Sequence, residues 1–196
     1  MSGHRWRRLA CLLSHLLNPA GLALVVFGGL VWGYPQAWAA GAVAVVLYSL
    51  LPGVALLGLH RTGRIPALYP AERQERAGML LAGATCYFAG VAALRWCGAP
   101  LPMLLAGATF GVNALLVWLI NRHWKISIHA VGVGGGVCLL LLAGGPSRWP
   151  FLAAVPLVAW ARLHLQAHTP AQVAAGLALG SLSAALLHSL FPGTVP

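Results

Sequence analysis

"ARLHLQAHTPAQVAAG", residues 161–176, joins two apolar runs through a short polar turn that holds Arg162, His164, His168 and Pro170. An arginine placed centrally in an apolar segment costs roughly 2.5–3.5 kcal/mol on insertion scales, so one kept here marks either a membrane interface or a functional site. Pro170 disfavours helix at Thr169, and the small-residue run "AQVAAG" begins a new apolar segment. The stretch reads as the polar end of a helical hairpin.

The rest of the chain supports that reading. Of 196 residues, 60% are hydrophobic and 7% are charged, far from the soluble average. Seven apolar segments follow one another at about 19–33, 37–59, 77–94, 101–120, 128–146, 149–167 and 171–190. Most have the roughly 20-residue length that crosses about 30 Å of hydrocarbon. The alternating short strands of a barrel are absent, so the expected fold is all-α, a polytopic bundle of six to seven spans, six if one segment is re-entrant. It forms a single transmembrane domain over residues 1–196. The basic start "MSGHRWRRLACLLSHLLNPAG" is interrupted by Ser14 and His15, and residues 1–18 read as an interfacial amphipathic helix rather than a cleaved leader. Glycines crowd "AVGVGGGV" at 130–137, which permits close helix approach.

Charge narrows the function. The net +10 comes from twelve Lys and Arg spread over short loops, which argues against nucleic-acid binding, since that needs a continuous basic face. The only carboxylates are Glu72 and Glu75, too few for a carboxylate metal cage. Cys11, Cys86, Cys97 and Cys138 lack zinc-like spacing and read as packing residues. With seven spans, the side of the N-terminus receives Arg5, Arg7, Arg8, Arg61, Arg64, Arg73, Arg76, Arg122, Lys125 and Arg162, and the other side only Arg95 and Arg148. The positive-inside rule then puts the N-terminus in the cytoplasm. The implied location is the cytoplasmic membrane.

Span parity brings three polar clusters to the same face: "YPAERQERAG" (69–78), "NRHWKISIHAVG" (121–132) and "ARLHLQAHTPAQ" (161–172). They supply Arg73, Arg76, Lys125, Ser127, His129, Arg162 and His168. Guanidinium and hydroxyl donors match phosphate oxygens, and imidazoles can attack phosphorus or move protons near neutral pH. Basic residues at the ends of spans also anchor helices to anionic lipid, which accounts for Arg61, Arg64 and Arg122 without a site. His164 and His168 lie four apart, as paired metal ligands do, but the glutamate of a His-Glu-x-x-His motif is missing, and no metal is expected.

Arg162, five residues, His168 and "TPAQVAAG" resemble the third motif of the type 2 phosphatidic acid phosphatase superfamily: Ser-Arg, five residues, His, three residues, Asp. "KISIHAVG" is similar to its second motif, Pro-Ser-Gly-His, with Ser127 and His129 in the matching roles. The resemblance covers about residues 70–180, the phosphatase-like core. Ala161 stands for the motif's serine, Ile128 for its glycine and Gln172 for its aspartate, and "ERQER" is the positional stand-in for the first motif.

The resemblance implies a metal- and cofactor-free hydrolase in which His168 attacks phosphorus, His129 protonates the leaving oxygen and then activates water, and Gln172 orients His168. Arg162, Lys125, Ser127, Arg73 and Arg76 would bind the phosphate, with Glu72 or Glu75 in support. The implied substrate is a lipid phosphate or polyprenyl (di)phosphate, drawn from the membrane lipids around it. Two rival functions are a degenerate homologue that binds or flips phospholipid head groups and a small transporter.

Overall fold

The computed structural model describes residues 2–65 and 76–191, and the regular structure among these is entirely helical. Glu72, Arg73 and Glu75 lie outside the described residues. The described residues form nine α-helices in chain order: α1 Ser2–Leu16, α2 Pro19–Gly33, α3 Trp38–Val45, α4 Leu51–Arg61, α5 Arg76–Trp96, α6 Leu101–Asn121, α7 Ile128–Gly144, α8 Ala154–His164 and α9 Pro170–Ser189. Local chemistry sets several starts. Asn18, Ser127 and Thr169 cap α2, α7 and α9 with their side-chain oxygens, and Pro19 and Pro170 occupy first-turn positions where a missing N–H costs nothing.

Among the described residues, four helical stretches are long and apolar enough to cross a membrane: Pro35–Arg61, Arg76–Trp96, Leu101–Asn121 and Pro170–Ser189. A fifth arises if α1 and α2, bent by 59° between Leu16 and Pro19, act as one span. α7 is apolar but has only 17 residues. The segment expected at 149–167 splits into a tight 3-10 stretch, Gly145–Ala153, and the 11-residue α8. Pro150 inside that stretch removes an amide donor that a continuous α-helix would use. Length and composition thus support four to five of the expected spans.

Two packing features position the candidate site. α7 and α9 lie against each other along glycines: a Cβ on Gly176 would stand 2.8 Å from the Ser127 carbonyl oxygen, and one on Gly135 would stand 3.2 Å from that of Gly180. Backbone approach this close is what small residues allow in helix pairs. Two hydrogen bonds cross the seam, from the Ser127 amide to the Gln172 carbonyl (3.4 Å) and from the Ser181 hydroxyl to the Gly134 carbonyl (3.2 Å). The starts of α7 and α9, which carry His129 and follow His168, are therefore fixed relative to each other.

The second feature is an aromatic core. Tyr48 sits in a widened turn, Val46–Leu50, between α3 and α4, fully buried, with its hydroxyl donating to the Tyr87 carbonyl at 2.8 Å. Its ring lies 4.8 Å from Phe27 and 5.4 Å from Tyr87, centroid to centroid, within the range of favourable aromatic pairs. Gly90 and Gly107 are the notches that admit it: an added Cβ on Gly90 would come within 2.6 Å of the ring.

Candidate active site

A cavity of about 640 Å³ opens at one end of the bundle. Its mouth collects side chains from six places in the chain: Ser14 near the end of α1, Arg76 at the start of α5, Lys125 in the turn before α7, His129 in the first turn of α7, Arg162 in the last turn of α8, and His168 just before α9. Its inner wall is mostly apolar, with Leu80, Tyr87, Phe110, Val117 and Leu139, and also carries Thr109 and Asn113. At 1.5 Å per residue, the step from His129 to Leu139 along α7 is about 15 Å, half the thickness of a bilayer core.

The α8–α9 turn decides how His168 is presented. Gln166 takes a left-handed conformation (φ 52°), which reverses the chain so that the Ala167 amide donates to the Arg162 carbonyl at 3.1 Å. This brings His168 back beside the end of α8. Thr169 then caps α9 in a capping box: its hydroxyl oxygen accepts from the Gln172 amide at 3.3 Å, and Gln172 Oε1 accepts from the Thr169 amide at 3.2 Å. The same Oε1 lies 3.1 Å from His168 Nδ1. Because the Thr169 N–H can only donate, the amide must face it with oxygen, and His168 Nδ1 must then carry its proton. The lone pair falls on Nε2.

His129 has the opposite tautomer. Its Nε2 is 3.0 Å from the main-chain carbonyl oxygen of Ser14, an acceptor only, so Nε2 carries the proton and Nδ1 the lone pair. Arg162 donates from Nη1 to the Ser14 hydroxyl. Among the described residues, its Nε is the only buried side-chain polar atom without a hydrogen-bond partner. A charged donor left so typically costs more than about 1–3 kcal/mol, and an anion placed there would supply the acceptor.

Among the described residues, the charged side chains at the mouth are cationic: Arg76, Lys125 and Arg162. The described residues contain no Asp or Glu, since the chain's two carboxylates are Glu72 and Glu75. Burial, and then the charges of Arg76 and Arg162, pull the Lys125 ammonium below its usual range. His168 is pushed down to about 4, first by burial and then by the Arg162 charge, with the Gln172 hydrogen bond acting in the other direction. Its imidazole is neutral at pH 7.

Most of the expected site residues that are described converge here: Arg76, Lys125, His129, Arg162 and His168 line the cavity, and Gln172 touches His168 from behind. Ser127 does not join them. It is fully buried, caps α7 through the Ala130 amide at 3.4 Å and is absent from the cavity wall. Gln172 has a role beyond the expected one, as the capping-box partner of Thr169. His164 is exposed and stacks on Trp160 at 5.1 Å. Ser14, which touches both Arg162 and His129, is the residue that sequence reasoning missed. No protein-family model, curated protein or solved structure matches the chain.

Proposed function

We propose that this protein is a membrane-embedded phosphatase that hydrolyses a phosphomonoester or diphosphate on a lipid or polyprenyl substrate, as a divergent relative of the type 2 phosphatidic acid phosphatases. The observation that carries the reading is the pairing of a neutral His168, its Nε2 lone pair set by Gln172, with the buried and unsatisfied Nε of Arg162 at the mouth of one cavity. The mostly apolar inner wall suits a hydrocarbon chain, and the cationic mouth suits its phosphate.

In this mechanism Arg162, Arg76 and Lys125 neutralise the non-bridging oxygens, where charge must be balanced during phosphoryl transfer. Nε2 of His168 attacks phosphorus, and the P–O bond to the lipid breaks. Nδ1 of His129 takes up the proton that the phosphate monoanion brings and passes it to the leaving oxygen, because Nε2 of that ring is engaged with the Ser14 carbonyl. His129 Nδ1 then removes a proton from water. The resulting hydroxide attacks the phosphohistidine, the P–N bond breaks, and inorganic phosphate leaves. Gln172 orients His168 through Nδ1, as the acid of a hydrolase triad orients its imidazole, but without the charge. Arg73, Glu72 and Glu75 belong to this reading by sequence position alone.

The same reading takes the bundle as six to seven spans, with α7 and the Gly145–His164 stretch as short crossings, and puts the N-terminus and the cavity mouth on the cytoplasmic side. Cysteines introduced near residues 3 and 62 should then resist a membrane-impermeant reagent added outside, while one near residue 194 reacts. Phosphate release from a panel of lipid phosphates by purified protein tests the activity. Turnover that survives chelator and is blocked by vanadate, a mimic of pentacoordinate phosphorus, supports the reading. Abolition by chelator with recovery on adding zinc overturns it. The uncharged Gln172 favours one rival, a homologue that binds lipid phosphates without cleaving them. Saturable binding with no phosphate release would select that rival.

A further inference from the structure

Ser14 belongs to an element with no part in the phosphatase motifs, and it touches both Arg162 and His129. α1 presents Trp6, Leu9, Leu12 and Leu16 outward, whereas Ala10 and Ser14, one turn apart, are buried against the bundle. Trp6 meets Trp160 of α8 edge-on at 6.1 Å, seating α1 beside the helix that carries Arg162. The Ser14 hydroxyl oxygen accepts from Arg162 Nη1 across 148 positions of sequence, and its carbonyl accepts from His129 Nε2 across 115.

The bend between α1 and α2 frees that carbonyl. In a continuous helix the amide of Asn18 would occupy the Ser14 oxygen, since each N–H bonds the carbonyl four residues back. Here Asn18 is extended (φ −70°, ψ 169°) and caps α2 through the Gly21 amide. The last carbonyls of α1 are thereby left for partners outside the helix. The hydroxyl and carbonyl of a single residue thus hold a phosphate-binding cation and an acid/base imidazole.

We infer that Ser14 is a positioning residue of this site, its hydroxyl aiming the Arg162 guanidinium into the cavity and its carbonyl holding His129 with the lone pair on Nδ1. The inference rests on the phosphatase reading. Removing the hydroxyl leaves a flexible arginine that must be ordered when the anion binds, so the loss falls on binding of phosphate more than on the chemical step. Removing the whole contact also releases His129.

The test uses the full-length protein in detergent, with hydrolysis of a lipid phosphate monoester and inhibition by orthovanadate as readouts. Ser14→Ala should raise KM and the vanadate inhibition constant about tenfold, as expected for losing a hydrogen bond to a charged group. Its kcat and pH profile should stay close to wild type. Ser14→Thr keeps the hydroxyl and should stay near wild type in all four. In an Arg162→Lys background, Ser14→Ala should add little, since the two changes remove one interaction. Ala10→Leu, which wedges α1 away from the bundle, should lower kcat as well and alter the pH profile through His129. Three results would overturn the inference: unchanged KM and vanadate inhibition in Ser14→Ala, equal losses in Ser14→Ala and Ser14→Thr, or full additivity with Arg162→Lys. A wild-type protein that releases no phosphate from any lipid would instead overturn the phosphatase reading itself, and vanadate binding would then test Ser14 on its own.

Discussion

Arg148 and Arg162 flank the stretch that α8 completes, and their surroundings differ sharply. The Arg148 side chain lies across the glycines of α2 and α7, where a Cβ added to Gly33 would meet its guanidinium at 3.2 Å, and its guanidinium lies 6.0 Å from the Trp32 ring. Arg122, at the end of α6, likewise lies 3.9 Å over the Trp118 ring. These arginines rest on aromatic faces, as cations at a membrane interface do. Arg162 instead faces a cavity with a buried Nε that has no acceptor, beside two imidazoles of opposite tautomer. Cationic charge at a helix end is common to both ends of this bundle. The distinguishing mark of the site is hydrogen-bonding capacity left unfilled where an anion can reach it.

The largest effects should fall on the cavity side of that contrast. His168→Ala should lower kcat/KM by about a thousandfold or more, and Arg162→Ala by about a hundredfold or more, with helicity intact. Arg148→Ala should leave turnover near wild type and cost only about 0.5–1 kcal/mol of stability, the value of an exposed cation–π contact. Equal losses of activity from Arg148→Ala and Arg162→Ala would erase the distinction.

Gln172 sharpens it at the next level. Gln172→Ala removes half of the capping box together with the acceptor on His168 Nδ1, so it should cost about 0.5–2 kcal/mol in stability and lower turnover about tenfold or more. Gln172→Glu keeps both contacts and adds charge, which should raise turnover and move the His168 pKa upward, since a neighbouring carboxylate favours imidazolium. If Gln172→Ala melts earlier but turns over normally, Gln172 is a cap and nothing more.

A smaller effect concerns protonation. With its pKa pushed down to about 4, His168 stays neutral at pH 5, where an ordinary imidazole near 6.5 is mostly charged. A reagent that acylates neutral imidazole should therefore modify His168 at pH 5, and phosphate should protect it. The stability linkage runs the same way: the unfolded chain binds this proton first, so the contribution is full above about 6.5 and is lost as pH falls toward 4. The smallest effect belongs to Gln166→Gly, which removes a left-handed strain of about 1 kcal/mol and should raise the melting temperature slightly with turnover unchanged.

The apolar pattern made most helices legible. The runs at 77–94, 101–120 and 171–190 became Arg76–Trp96, Leu101–Asn121 and Pro170–Ser189. Hydrophobicity alone did not reveal the 3-10 stretch at Gly145–Ala153 or the widened turn at Val46–Leu50, because both depend on how backbone donors are satisfied rather than on which residues are apolar. Within the site, Arg76, Lys125, His129, Arg162 and His168, which the sequence holds in three separate polar clusters, line one cavity. Ser127 caps α7, a role that a hydroxyl one residue before a helix fills as readily as that of a ligand. Thr169-x-x-Gln172 carries a capping-box signature in plain view, and reading it would have assigned Gln172 its second role. Ser14 had no comparable signal, since a contact across 148 positions is set by packing.

The central claim is that His168 Nε2 takes the phosphoryl group. Wild-type protein incubated with a lipid phosphate carrying labelled phosphorus, quenched in alkali and digested, should yield label on the peptide containing His168. That label should be stable to base and labile to acid, and absent in His168→Ala. Phosphate release without any such adduct, or label on His129 or His164 in its place, would contradict the account.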